Sequence, residues 1–199
     1  MKSGIPFILL ILFSWLSFAA LPPQFSECLS GNSGTAMSVA DLKEISKISR
    51  VTYCQNQVGL VGKLETMDLL SSPNVQVGIS LSKTTYSQAD FLDLAGSGSY
   101  VLYVDGPRLT RDNLIALAQA NVQLVIMTAN SGLSKADLLA IAAAKSFVLN
   151  VNSAVKATDL GDYVNAKVQV VIRTSQSGLS RADIMSVAQA NSEFVTVMP

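Results

Sequence analysis

Carboxylate and amide side chains recur along the chain at a nearly constant spacing. Successive members lie 22 to 24 residues apart: Asp68, Asp90, Asn113, Asp137, Asp159 and Asp183. Oxygen ligands at a fixed spacing can converge on calcium along a stack of repeats. Each unit here supplies one such residue, whereas a calcium-binding roll needs several acidic residues and glycines in every turn. The spacing therefore predicts helix starts, where an acidic group favours the helix dipole, and no metal site.

Other residue types that carry chemistry are scarce. The sequence has no histidine and two cysteines, which excludes histidine-based general bases, histidine metal ligands and four-cysteine zinc sites. Ser134 and Ser180 lie three positions before Asp137 and Asp183, where a hydroxyl caps a helix. Because charges are spread along the repeats and do not cluster, we expect no catalytic residues, no cofactor and no enzymatic activity.

The first residues have the pattern of a cleavable secretory signal. One basic residue, Lys2, precedes an apolar run, and small residues follow at Ser17 and Ala19, which predicts a leader over residues 1–19. The run is shorter than the roughly 20 residues that span a bilayer, so we expect no membrane anchor after cleavage. A secreted or periplasmic chain meets an oxidising compartment. Cys28 and Cys54 are therefore predicted to form a disulfide, since they lack the Cys-x-x-Cys spacing of a redox pair.

Composition limits the partners. The 14 basic and 14 acidic side chains give a formal charge of zero, which does not favour nucleic acid or an anionic membrane surface. Hydrophobic residues make up 49% of the sequence, which is enough for a folded core.

An internal repeat organises the chain into strand and helix units. Residues 131–138 (SGLSKADL) recur as 177–184 (SGLSRADI). Apolar residues one, four and five positions after each anchor form one helical stripe, and short β-branched runs lie between the helices. The prediction is an α/β solenoid of 22–24-residue strand–helix repeats, with a parallel β-sheet on one face and short helices on the other.

This pattern resembles the leucine-rich-repeat type of solenoid. The likeness covers roughly residues 65–199 and is one of architecture, because the repeated Ser/Thr-x-Ala-Asp-Leu motif replaces that family's leucine and asparagine signature. It implies one strand and one short helix per repeat and no particular binding residue. The domain prediction is a leader (1–19), an N-terminal capping segment with the disulfide (20–64) and the repeats (65–199).

The sheet face that points away from the helices is unusually apolar. Two explanations compete: the helices or a terminal segment fold over this face, or the face is exposed and binds a protein partner or a second copy. No covering element is evident in the sequence, which favours the exposed contact surface, with the uncapped last strand as a second candidate. The predicted contact residues are Tyr103, Val125, Met127, Val148, Asn150, Val171 and Arg173. The sequence thus favours an exported, non-enzymatic protein-binding or structural module, such as an envelope assembly component or a secreted interaction module. The alternatives are a carbohydrate- or peptidoglycan-binding module, or a hydrolase that uses the few carboxylates.

Overall fold

The computed structural model describes residues 21–22, 25–29, 37–56 and 61–199. The predicted leader, and with it the cleavage site, lies outside the described residues. The division into leader, capping segment and repeats stays a prediction.

Seven strands alternate with helices within the described ranges. The strands are β1 (Val51–Gln55), β2 (Val75–Ser80), β3 (Val101–Val104), β4 (Gln123–Met127), β5 (Val148–Val151), β6 (Gln169–Arg173) and β7 (Val195–Met198). The helices are α1 (Phe25–Leu29), α2 (Val39–Ser46), α3 (Lys63–Leu70), α4 (Gln88–Ser97), α5 (Arg111–Gln119), α6 (Lys135–Ala144), α7 (Ala157–Asn165) and α8 (Arg181–Ala190).

All seven strands belong to one parallel sheet, and their spatial order is their order in the chain. A parallel neighbour requires a crossover, and between β1 and β7 each crossover contains one α-helix. The α/β class and the parallel sheet alternating with helices are confirmed.

Hydroxyl caps begin most of the helices, as the repeat predicted. The Ser87 hydroxyl accepts a hydrogen bond from the Asp90 N–H (3.2 Å), and the Asp90 carboxylate accepts one from the Ser87 N–H (2.8 Å). This reciprocal capping box also starts α2, α5, α6 and α8. The Asp68 anchor is an exception: it lies near the end of α3, and its carboxylate contacts the Lys43 ammonium group at 2.6 Å.

The units alternate between two kinds, so the larger repeat is a doublet of about 47 residues. Residues 101–147 and 148–194 align with a one-residue deletion in the second copy after β5, and NVQVGIS (74–80) recurs as NVQLVIM (121–127) and KVQVVIR (167–173). The segments after α3, α5 and α7 each contain a left-handed residue, Asn74, Asn121 or Lys167, just before the next strand. In contrast, α4, α6 and α8 are followed by an extended residue: Gly98, Lys145 or Asn191.

The strands are staggered as well as parallel. Val101 pairs with Gln123 on β4, whereas Val148, its equivalent one doublet later, pairs with Val125. The register therefore advances by two residues from β3 to β5. Such a stagger is the geometry of strands that tilt within a curved sheet.

The sheet has an apolar layer on each side. Between sheet and helices, Phe91, Leu114, Ile141 and Leu160 are fully buried against inward strand residues. Tyr103, Val125, Val148 and Val171 form the centre of a second layer on the opposite face. The alternation of strand side chains between the two faces follows the prediction.

Candidate functional site

The sheet face opposite the helices is buried, which corrects the prediction of an exposed contact surface. Among the seven predicted contact residues, six are no more than 6% exposed: Tyr103, Val125, Met127, Val148, Asn150 and Val171. Arg173 alone is partly exposed. The expectation that this face lies open to solvent is therefore wrong.

Helix α1 explains the burial at the β1–β3 side of this face. Phe25 is 2% exposed and packs in the same apolar layer as Tyr103. The Tyr103 hydroxyl donates to the Phe25 carbonyl oxygen (3.3 Å), and burial raises the pKa of this hydroxyl. This cover has no clear signal in the sequence, because α1 has only five residues and its contact with Tyr103 bridges 78 positions.

The predicted disulfide is confirmed and anchors α1 to the sheet. Cys28 on α1 is bonded to Cys54 on β1. Next to this bond, Gly78 on β2 is the residue that pairs with Cys54 on β1. A Cβ atom at Gly78 would lie 2.5 Å from the Cys28 sulfur, so the missing side chain makes room for the bridge.

A pocket of about 590 Å³ opens at the carboxyl ends of the strands, beside α1. Loops at this edge of a parallel sheet form the usual ligand sites of α/β folds. Its lining residues come from α1, from strand ends and from the loops that follow: Ser26, Leu29, Asp105, Met127, Asn130, Asn150, Asn152, Arg173, Gln176, Met198 and Pro199. Three of the predicted contact residues, Met127, Asn150 and Arg173, thus meet here, although in a pocket and not on an open face.

A buried amide fixes the arginine in this pocket. The Arg173 Nε–H donates to the Asn150 side-chain oxygen at 3.1 Å. The Asn150 Nδ2 group donates to the Met127 sulfur at 3.0 Å, and Asn150 is 2% exposed. Both ends of the buried amide are therefore engaged, and the guanidinium is left with its terminal Nη groups for other partners.

Asp105 is the acidic residue of the pocket. Its carboxylate accepts hydrogen bonds from the Ser80 hydroxyl (2.6 Å), the Ser82 N–H (2.7 Å) and the Ser82 hydroxyl (2.8 Å). These neutral donors join the segment after β2 to the segment after β3. They hold the carboxylate in place without neutralising its charge.

The repeat pattern does not point to Asp105, Asn152 or the pocket itself. The carboxylate and amide anchors of that pattern predict helix starts, whereas these two residues directly follow strands. The signal that identifies them is the 47-residue doublet, which places Asp105 and Asn152 at equivalent positions. The described residues contain no group of three or more acidic or cysteine side chains that could hold a metal ion.

Comparison with known proteins gives no family. No protein-family model and no curated protein sequence matches the chain. Among solved structures, a mandelate oxidase mutant with (S)-mandelic acid is 15% identical, with a TM-score of 0.35 over 89% of this chain and 80% of that one. Mandelate oxidase with (S)-4-hydroxymandelic acid is 14% identical, with the same TM-score over 89% and 82% of the two chains. Likeness at this level carries no argument about function.

The function predicted from the sequence needs correction. An exported protein-binding or structural module required an exposed sheet face, and that face is buried. That functional interpretation is therefore wrong. Contact of the seven named side chains, or of the last strand, with a partner chain stays an untested prediction.

Proposed function

We propose that the pocket at the carboxyl ends of the strands binds a small organic anion, with Arg173 as its charge partner. The observation that carries this proposal is the buried Asn150 amide, which holds the Arg173 Nε at 3.1 Å in a pocket lined by polar and apolar groups. A buried amide that lost its partners would cost about 1–3 kcal/mol. The arginine is thus fixed before a ligand arrives.

The geometry of the Arg173 guanidinium favours a planar anionic group, a carboxylate. With Nε engaged by Asn150, the guanidinium offers its two Nη groups side by side, the arrangement that pairs with both oxygens of a carboxylate. Leu29, Met127 and Met198 provide apolar surface beside the arginine. A volume of about 590 Å³ lies within the range of small-molecule sites.

The test is a calorimetric titration with N-acetylmethionine, which combines one carboxylate with an apolar arm. We expect Arg173→Gln to weaken binding about tenfold or more, because glutamine keeps polarity but loses the charge. Arg181→Gln is the matched control, since Arg181 is exposed at the start of α8 and lies outside the pocket lining. Equal affinity of wild type and Arg173→Gln would overturn the proposal.

The predicted lack of enzymatic activity remains part of this proposal, which requires binding and no chemical step. Asp105 is the acidic group in the pocket lining, and three neutral donors already hold its carboxylate. Incubation of candidate ligands with the protein, followed by mass spectrometry, tests this statement. More than one mole of converted product per mole of protein would contradict it.

We further propose that the chain matures in an oxidising compartment, secreted or periplasmic, and that its units stack as a solenoid. The Cys28–Cys54 bond supports the first statement, because disulfides persist where the surroundings are oxidising. Among the described residues, no helix is both long and apolar enough to cross a membrane. Cell fractionation tests the location, and small-angle scattering tests whether the particle has the elongated profile of a stack.

A further inference from the structure

We infer that the ligand of this pocket is a zwitterion, a peptide of about two to three residues whose amino group faces Asp105 and whose carboxylate faces Arg173. The inference rests on the proposed anion site and extends it to a second charge and a defined length.

The pocket contains two opposite charges that are not paired. Asp105 and Arg173 both line it, and each is bonded to neutral groups: serine donors for Asp105, an asparagine oxygen for Arg173. Within the described part of the chain, neither residue takes part in an ion pair. A ligand with one charge of each sign satisfies both side chains and leaves the pocket neutral.

Elsewhere the same chain pairs its charges across neighbouring helices. Lys63 contacts Asp90 and Asp93 at 2.7 and 2.6 Å, and Lys135 contacts Asp159 and Asp162, both at 2.6 Å. Other charged side chains, such as Lys83 and Arg181, also have no ion pair among the described residues, so the lack of one is not special in itself. What distinguishes Asp105 and Arg173 is that these two opposite charges line the same pocket.

The distance between the two charges sets the length of the ligand. The Asp105 carboxylate, after β3, accepts from Ser80 on β2, and the Arg173 guanidinium, on β6, donates to Asn150 on β5. The two groups are therefore separated by about three strand intervals of about 4.8 Å, or roughly 14 Å. A contact of about 2.8 Å at each end leaves roughly 8–9 Å for the ligand, which two to three residues of an extended peptide span at about 3.5 Å per residue. The adjacent charges of a single α-amino acid do not.

The uncharged residues of the lining can contact the part of the peptide that lies between its two charged ends. The Asn152 side-chain oxygen accepts from the Ala129 N–H (3.0 Å) and the Thr128 hydroxyl (3.3 Å). Its NH₂ group, which has no partner among the described residues, can donate to a peptide carbonyl. Asn130 and Gln176 add further amides, and Leu29, Met127 and Met198 can receive one apolar side chain.

The experiment compares three forms of one tripeptide by calorimetry: free Ala-Met-Ala, its N-acetylated form and its C-amidated form. We expect wild type to bind the free peptide about tenfold more tightly than either blocked form, because each block removes one charge pair. Asp105→Asn should bind the free and acetylated forms equally, whereas Arg173→Gln should lose the preference for a free carboxylate. Asp93→Asn, an exposed position outside the pocket lining, should behave as wild type.

The outcomes separate this inference from the proposed function. Equal binding of free and acetylated peptide to wild type, with loss of both in Arg173→Gln, overturns the zwitterion and leaves the anion site standing. No binding of any carboxylate form overturns both. If Asp105→Asn failed to fold, the comparison of the three peptides on wild type would still decide the matter.

Discussion

Asp105 and Asn152 occupy the same position in successive doublets, and each accepts a hydrogen bond from the equivalent backbone N–H of the preceding unit. The Asp105 carboxylate accepts from the Ser82 N–H at 2.7 Å, and the Asn152 amide oxygen accepts from the Ala129 N–H at 3.0 Å. Each also accepts from a hydroxyl of the preceding unit, Ser80 or Thr128. One residue is charged and the other is neutral, so the connection between neighbouring strand ends does not depend on charge.

This equivalence predicts that Asp105→Asn leaves the fold intact. The asparagine oxygen keeps the Ser82 N–H satisfied, and the serine hydroxyls can rotate to accept from the new NH₂ group. We expect a free energy of unfolding within about 0.5 kcal/mol of wild type, whereas Asp105→Ala should cost about 1–3 kcal/mol by leaving those donors unpaired. Urea unfolding measures both. A loss in Asp105→Asn as large as in Asp105→Ala would show that the charge itself holds the strand ends together.

The helices and strands could be predicted because their signals are local. Ser134 and Asp137 are three residues apart and make both bonds of the capping box with each other, so the sequence alone contains that interaction. Strand side chains alternate between the two faces whatever the neighbouring elements are.

The covered face and the pocket could not be predicted in the same way. Phe25 and Tyr103 meet across 78 positions, and no periodicity in the sequence connects them. The alternation of strand side chains puts Arg173 on the correct face, but its position in a pocket depends on how Asn150, α1 and the loops after the strands come together. Such non-local geometry is invisible to patterns of 22 to 24 residues.

The helix-side core provides a matched test of burial. Ile141 on α6 is fully buried, so Ile141→Ala should lower the free energy of unfolding by about 2–5 kcal/mol through lost packing and a residual cavity. Met185 on α8 is 49% exposed, and Met185→Ala should change it by less than about 0.5 kcal/mol. Chemical denaturation of both variants measures the difference. Equal effects would mean that the helix faces are assigned incorrectly.

The disulfide should contribute about 3 kcal/mol, because it closes a long loop in the unfolded chain. The variant with both Cys28→Ser and Cys54→Ser removes it without changing side-chain size greatly. We expect its urea midpoint to fall, and we expect no reactive thiol in the denatured, non-reduced wild-type protein. Detection of two thiols per chain would contradict the bridge.

Acid should destabilise the protein through its helix caps. Hydrogen bonds from Lys63 and Ser87 hold the pKa of Asp90 well below its ordinary value of 3.8, and Ser134 and Ser180 lower the pKa values of Asp137 and Asp183. A carboxylate whose pKa is lower in the folded state stabilises the fold above the ordinary value, and this contribution is lost as pH falls below about 4.

The variant Asp90→Asn tests this pH dependence, because Asn113 already caps α5 in the same way with an amide. We expect the variant to be less stable than wild type at pH 7 and to lose less of its remaining stability between pH 7 and pH 3. Urea midpoints at the two pH values give the comparison. If both proteins lost the same amount of stability between pH 7 and pH 3, the pH dependence would arise from other groups.

A substitution at Gly78 tests whether α1 packs stably only when the disulfide can approach β2 closely. A Cβ atom there would lie 2.5 Å from the Cys28 sulfur and 3.0 Å from the Tyr103 ring, and neither neighbour can retreat freely, because the sulfur is bonded to Cys54 and the ring is buried. Gly78→Ala should therefore lower the free energy of unfolding by about 1–3 kcal/mol.

Gly161→Ala is the matched control: nothing lies within 4 Å of its added Cβ inside α7, so it should stabilise the protein by about 0.5–1 kcal/mol. Urea unfolding of the oxidised proteins measures both changes, and a Gly78→Ala variant as stable as wild type would show that α1 does not pack as closely against the sheet as described.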